Sequence, residues 1–452
     1  MPEKNEVDVG ELIDSCRVNS FILRIAIVCW AILFIDGFDL GALSVTAPAI
    51  VKDWQIGSAA ALGYVFSAVL VGTIFGTLIF GWIGDRYGRK TALLIGCLWI
   101  GLSSFATVLT NNVSELFAAR VLTGIAVGGL GPNVLAMTAE FAPKRVRARF
   151  MIVAYTGITI GGGAGGILAP IFIPRFGWES MFLFGGTVPL ILALIVLLFL
   201  PESLKFLVVH GKDQKRVASV LNRLAPSAEY PVHSVTLVTH EKPHRNASPK
   251  LLLEGDRQFF TLLLWLMYLM SGLTVFFVNS WLPTALKDAG FKEYTPLLLT
   301  AFSAGGLIGG LSIARFVDKH GMIPILFLYA IAIPTTCAIG YSSSVKLLVP
   351  FVVFFSGFAL LGIQFILNAA AALLYPTTLR ASGAAYAGTA GRLGSVAGPT
   401  LAGWLLASGL SIEHFYLTLS LPLGLGAVGA LLFVREYRHR FRRHDFASEA
   451  AT

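Results

Sequence analysis

Asp36 and Asp39 stand three residues apart in Phe34-Ile-Asp-Gly-Phe-Asp-Leu-Gly41, inside an otherwise apolar run. That spacing puts both carboxylates on one face of a helix. Facing a single apolar cavity, each makes it harder for the other to stay charged, so the pair suits loading and releasing protons. The structural alternative is that one of them pairs with an arginine to hold two helices together. Two basic residues are also enclosed by apolar sequence. Arg120 opens Arg120-Val-Leu-Thr-Gly124-Ile-Ala-Val-Gly128-Gly129, which lays one Arg and two Gly along one helical stripe. A buried ion pair or a snorkelling side chain is its plainer reading. Arg392 lies about ten residues into its run, with Tyr386 and Thr389 on neighbouring turns. A planar guanidinium in a dry cavity is a bidentate seat for a carboxylate, which makes Arg392 the candidate for holding an anion. Glu140 closes the fourth apolar run. Asn133, Asn279, Gln364 and Asn368 also lie within runs, the last two four apart on one face. They could bond ring hydroxyls of a ligand, or they could bond between helices. Every histidine falls in a loop, the linker or the tail, so a proton crossing the interior must ride on a carboxylate.

The elements that carry these residues are dictated by composition. Of 452 residues 56% are apolar and only 13% charged, where an ordinary soluble domain has about 25% charge. A bilayer span needs ~20 apolar residues, and the chain offers twelve such runs, the first over 21–48, the eighth over 295–314, the eleventh over 382–408 and the last over 411–434. Soluble, disordered and fibrous classes are excluded. The expected organisation is a tail over 1–20, six spans over 21–200, a polar linker over 201–256, six spans over 257–434 and a second tail over 435–452. The acidic first 20 residues are unlike a cleaved signal peptide, so the first run is expected to stay as a span. Cys29, Cys97 and Cys337 lie in apolar runs and Cys16 in the first tail, which suggests neither a disulfide framework nor a metal site.

Among 34 Lys and Arg, only Lys52, Arg175, Lys287, Lys292 and Lys346 fall in the loops on one side. The bias places both termini in the cytoplasm. The net charge of +9 then reads as a rim facing anionic lipid, not as a nucleic-acid surface.

The chain repeats itself at an offset of 233 residues. Gly72 aligns with Gly305, Gly76 with Gly309, Asp85 with Asp318, Gly124 with Gly357, Pro143 with Pro376, Arg147 with Arg380 and Gly161 with Gly394. Such repeats place a substrate site at their interface near the membrane midplane, opened alternately to each side, which predicts a secondary transporter. A channel suits the repeat less well, and no P-loop is present for ATP-driven transport.

The loop after the second run reads Gly81-Trp-Ile-Gly-Asp85-Arg86-Tyr-Gly88-Arg89-Lys90. With the twelve spans and the degenerate copy around Asp318, Lys319 and Gly321, it resembles the signature loop of the major facilitator superfamily. Pro201-Glu202-Ser203-Leu-Lys205 resembles the motif shared by its sugar and organic-ion porters. Asp36-Gly37-Phe-Asp39, Asn279-Ser-Trp281-Leu-Pro283 and Gly391-Arg392 are similar to the aromatic acid:proton symporter family. The resemblance implies an all-α membrane fold of twelve transmembrane helices in two pseudo-symmetric six-helix bundles. It further implies proton-coupled uptake through Asp36 and Asp39, coupling through Arg120, an inner gate at Glu140, a carboxylate held by Arg392, and a conformational latch of Gly81, Asp85, Arg86, Gly88, Arg89 and Asp318. The loop's carboxylate is expected to cap or pair with a neighbouring helix end.

The expectation is symport of a benzoate-like or hydroxybenzoate-like acid with protons across a bacterial inner membrane. The protein is expected to act as a monomer, to need no cofactor beyond the proton as coupling ion, and to have the bilayer as its partner. A sugar or aliphatic organic acid as cargo, a drug exporter and a non-transporting receptor are the alternatives.

Overall fold

A computed structural model describes residues 5–56, 59–209, 214–224, 235–238, 252–253, 257–288, 290–291, 294–341, 346–374 and 377–449. Helices dominate because a backbone in lipid must satisfy its own hydrogen bonds. A short helix, α1 (Val9–Ser15), precedes six long ones: α2 (Ser20–Asp53), α3 (Gly63–Tyr87), α4 (Arg89–Val108), α5 (Val113–Phe141), α6 (Lys144–Phe176) and α7 (Glu179–Phe199). Two short helices follow, α8 (Leu204–Val209) and α9 (Gln214–Leu224). The second series is α10 (Arg257–Asp288), α11 (Thr295–His320), α12 (Pro324–Ala338), α13 (Val349–Leu374), α14 (Thr377–Ala407), α15 (Ile412–Leu417) and α16 (Ser420–Glu449). Apart from helices, Asn5–Asp8 pairs in parallel with Val235–Val238.

The helices carry all twelve expected runs, usually extending them by a turn. Among the described residues, ten helices are long and apolar enough to cross a membrane. The described part of the eighth run, Leu297–Ile313 on α11, is a shorter apolar helix. The eleventh lies on α14, whose Gly, Ala, Ser and Thr residues favour close packing over apolarity.

The chain divides into two compact units. The first is Met1–Ala42, Ala68–Gly165 and Ile171–Pro243; the second is Leu43–Ser67, Gly166–Pro170 and His244–Thr452. The repeated glycines do the same work in each. In the first, a Cβ at Gly72 or Gly76 would overlap the α5 backbone, and one at Gly161 would overlap the Phe34 carbonyl of α2. In the second, Gly305 and Gly309 press on Phe354 and Phe358 of α13, and Gly394 on Leu269 of α10. The sequence repeat is therefore a repeat of helix contacts.

The segment 1–20, expected as a tail, is folded over its described part. Leu12, Ile13 and Cys16 are buried in one core with Leu204, Leu207, Val217, Val220, Leu221 and Leu224 of α8 and α9. Asp14 accepts from the backbone N–H of Lys144 (2.7 Å) and pairs with Arg147 (3.3 Å) at the start of α6. Asn19 caps α2 through Ile22 N–H (3.0 Å) and donates to the carbonyls of Arg223 (2.9 Å) and Leu224 at the end of α9.

Candidate functional site

The centre of the first unit holds a buried ion pair. Gly124 and Gly128 set α5 against the α3 backbone, which fixes the rotation of α5 and brings Arg120 in toward α2. Its Nη1 donates to Asp39 Oδ1 at 3.1 Å, its Nη2 donates to Asp39 Oδ2, and Nη2 also reaches the Asp39 carbonyl at 3.4 Å. Arg120 is 0% exposed and Asp39 1%. The ring of Phe182 lies 5.3 Å from the guanidinium carbon, and Arg120 Nε has no hydrogen-bond partner. Asp36 is buried one turn away on α2. The immediate electrostatic partner of Asp39 is thus an arginine from another helix.

A second cluster lies at the α3–α4 turn. Gly88 has φ of +104°, a conformation that favours glycine. Asp85 is mostly exposed and pairs with Arg89 of its own turn at 2.8 Å, and Arg89 lies 3.9 Å from Glu140. Glu140 accepts from the Ser203 hydroxyl. Glu202 accepts from the N–H groups of Lys90 (3.1 Å) and Ser203 (2.9 Å) and lies directly over Gly88. Two carboxylates therefore meet the start of α4: Asp85 pairs with the side chain of its first residue, Arg89, and Glu202, from the Pro-Glu-Ser motif, accepts from the Lys90 N–H. Arg86 is exposed and sits 5.6 Å from the Trp82 ring. A Cβ at Gly81 would meet nothing within 4 Å. Asp318 lies near the end of α11, with its side chain outside the described residues.

Asn133 is enclosed between helices: its Nδ2 donates to the carbonyls of Gly129 (2.8 Å) and Phe80 (3.2 Å). This is a packing bond of the kind polar residues make between spans, and the residue is 2% exposed.

In the second unit, Arg392 is half-buried on α14. Its neighbour Gly391 packs on Tyr268 of α10, whose hydroxyl donates to Asn368 Oδ1 at 3.0 Å. Trp265, one turn earlier, has its ring 6.3 Å from Tyr386 of α14. Gln364 is half-buried one turn before Asn368, and Asn279 is half-buried near the far end of α10. Local sequence does not single out Tyr268 for this contact, since aromatic residues abound in this chain.

Residues 29–399 match the model of the Major Facilitator Superfamily. The chain is 33% identical to the 4-hydroxybenzoate transporter PcaK of Pseudomonas aeruginosa, over 96% of this chain and 97% of that one. It is also 33% identical to a gallate transporter of Pseudomonas putida, over 95% and 96%. Among solved structures it resembles the xylose transporter XylE from E. coli, with a TM-score of 0.69 and 19% identity over 92% of this chain and 98% of that one; at that identity the likeness is one of fold. The chain belongs to the Major Facilitator Superfamily and, within it, to the aromatic acid:proton symporter family, and it is a membrane transporter rather than an enzyme.

Proposed function

We propose that this chain imports an aromatic carboxylate together with one or more protons, by alternating access, with both termini in the cytoplasm. The cargo class is supported by relatives that carry 4-hydroxybenzoate and gallate, aligned over nearly the whole chain. Proton coupling rests on one observation, the fully buried pair of Arg120 and Asp39. Two charges removed from solvent are tolerable only together. A proton on Asp39 removes half of the pair and leaves Arg120 in search of another partner, so protonation and helix rearrangement become one event. Asp36, buried a turn away, is the second proton-accepting group. Arg392 supplies the positive charge that attracts the substrate carboxylate, and Tyr268 with Asn368 supplies polar atoms for a ring hydroxyl. The aromatic pair of Trp265 and Tyr386 offers ring faces on the same two helices as Arg392.

The test is uptake of radiolabelled 4-hydroxybenzoate into cells, with and without a protonophore, for wild type and Asp39→Asn. Coupling requires that the protonophore abolish accumulation and that Asp39→Asn fail to accumulate. Unchanged uptake under both treatments overturns it.

A further inference from the structure

On the surface of the first unit α2 and α6 enclose a groove of about 430 Å³. Leu23, Ala26, Ile27, Trp30, Phe150 and Val153 form its apolar walls, and Arg149 lines it as its one charged residue. The groove exists because a glycine seam ends. From Trp30 and Gly157 onward the two helices touch backbone to backbone, with Gly161 on the Phe34 carbonyl and Gly37 on Ile158. Nearer the helix starts α6 offers Phe150 and Val153 in place of glycine, and these side chains prop the helices apart. Trp30 closes the inner end, held by its indole N–H on Thr156 Oγ1 at 3.2 Å and stacked on Phe34.

The basic end is as specific as the apolar wall. Lys144-Arg145-Val-Arg147-Ala-Arg149 opens α6. Arg145 is committed to the Cys16 carbonyl, and Arg147 to Asp14 and the Ala142 carbonyl. Arg149 is exposed and takes part in no ion pair among the described residues, and Arg24, beside Leu23, is exposed as well. Leu23 to Trp30 spans seven residues, about 10 Å along the helix axis, and Ile27 and Val153 on that stretch are 65% and 56% exposed.

We propose that this groove holds one anionic glycerophospholipid of the leaflet nearest the chain termini, its phosphate on Arg149 and one acyl chain laid along Ile27 and Val153 to Trp30. Charge complementarity selects that occupant. A guanidinium at headgroup depth binds a phosphate bidentately, basic pockets between spans are seats for anionic headgroups, and the strip leading inward from Arg149 is apolar. A zwitterionic lipid also carries a phosphate, but its own headgroup cation offsets that charge, so its net attraction to Arg149 is weaker.

Native mass spectrometry of the purified chain with equal amounts of phosphatidylglycerol and phosphatidylcholine tests this. Wild type should retain phosphatidylglycerol preferentially. Arg149→Gln should reduce that preference about fivefold, the effect of one basic residue at a lipid surface. Ala26→Trp, which fills the groove and keeps the charge, should reduce retention of both lipids, while Arg175→Gln at the opposite end of α6 should change nothing. An unchanged preference in Arg149→Gln overturns the proposal, as does full lipid retention in Ala26→Trp. Displacement of phosphatidylglycerol by excess inorganic phosphate would assign Arg149 to a soluble anion and overturn it too.

Discussion

The guanidinium of Arg120 grips the carboxylate of Asp39 through both terminal nitrogens where neither residue meets solvent. Removing one partner strands the other. Arg120→Ala is expected to destabilise the protein by about 3–5 kcal/mol, the usual cost of breaking a buried pair from one side. The double variant Arg120→Gln with Asp39→Asn, which leaves no buried charge, should recover most of the loss in a thermal unfolding assay and still fail to accumulate substrate. If the double variant is no more stable than Arg120→Ala, the pair does not set the stability of this region.

The repeated glycine contacts predict paired effects in the two units. Gly161→Ala would drive a Cβ into the Phe34 carbonyl, and its counterpart Gly394→Ala into the Leu269 carbonyl. Each should cost about 1–3 kcal/mol, as overpacking does. Gly131→Ala and Gly388→Ala, where a Cβ meets nothing within 4 Å, should be silent. Melting temperatures of the four purified variants decide between these outcomes.

At the α3–α4 turn, Gly88→Ala forces a positive φ on a side-chain-bearing residue and crowds Glu202. The backbone strain alone is about 1–2 kcal/mol. Glu202→Ala removes the acceptor shared by Lys90 and Ser203. If this cluster governs the conformational cycle, initial uptake rates should show a lower maximal velocity with little change in KM for both variants. A changed KM with normal velocity would move the role to substrate binding.

Burial raises the Cys16 thiol above its ordinary pKa, and the nearby Arg145 only partly opposes this. The thiol is therefore both protonated at neutral pH and 6% exposed, two reasons for slow alkylation, since the thiolate is the reactive form. In a background with Cys337→Ser, maleimide labelling of wild type should be slow and should accelerate as pH rises. Asp14→Ala releases the contacts to Lys144 and Arg147 and should speed labelling at least several-fold if those contacts keep α1 docked.

The helices were legible because lipid enforces runs of ~20 apolar residues, and the glycine repeat because close contact leaves room for nothing else. The residue types of the buried site were legible too, as charges in apolar sequence. An ion pair with an arginine is legible as one of two readings of the carboxylates and of Arg120, beside proton exchange on their shared helical face; that the partners are Asp39 and Arg120, 81 residues apart, is not. That contact depends on how α5 is rotated against α3, which no local spacing encodes. For the same reason local sequence leaves Asn133 open between a ligand contact and a bond between helices, whereas its Nδ2 donates to the carbonyls of Gly129 and Phe80. The folded part of 1–20 is not legible in sequence because a seven-residue helix carries too few apolar positions to show a period.

Asn19 emerges from the ribosome early, but the carbonyl of Arg223 that it holds lies 204 residues further along. At the usual synthesis rate of about 5–20 residues per second, that gap is roughly 10–40 s. During that interval six hydrophobic segments enter the bilayer while α1 has no linker to rest on. The core that buries α1 is therefore complete only once α8 and α9 have been made.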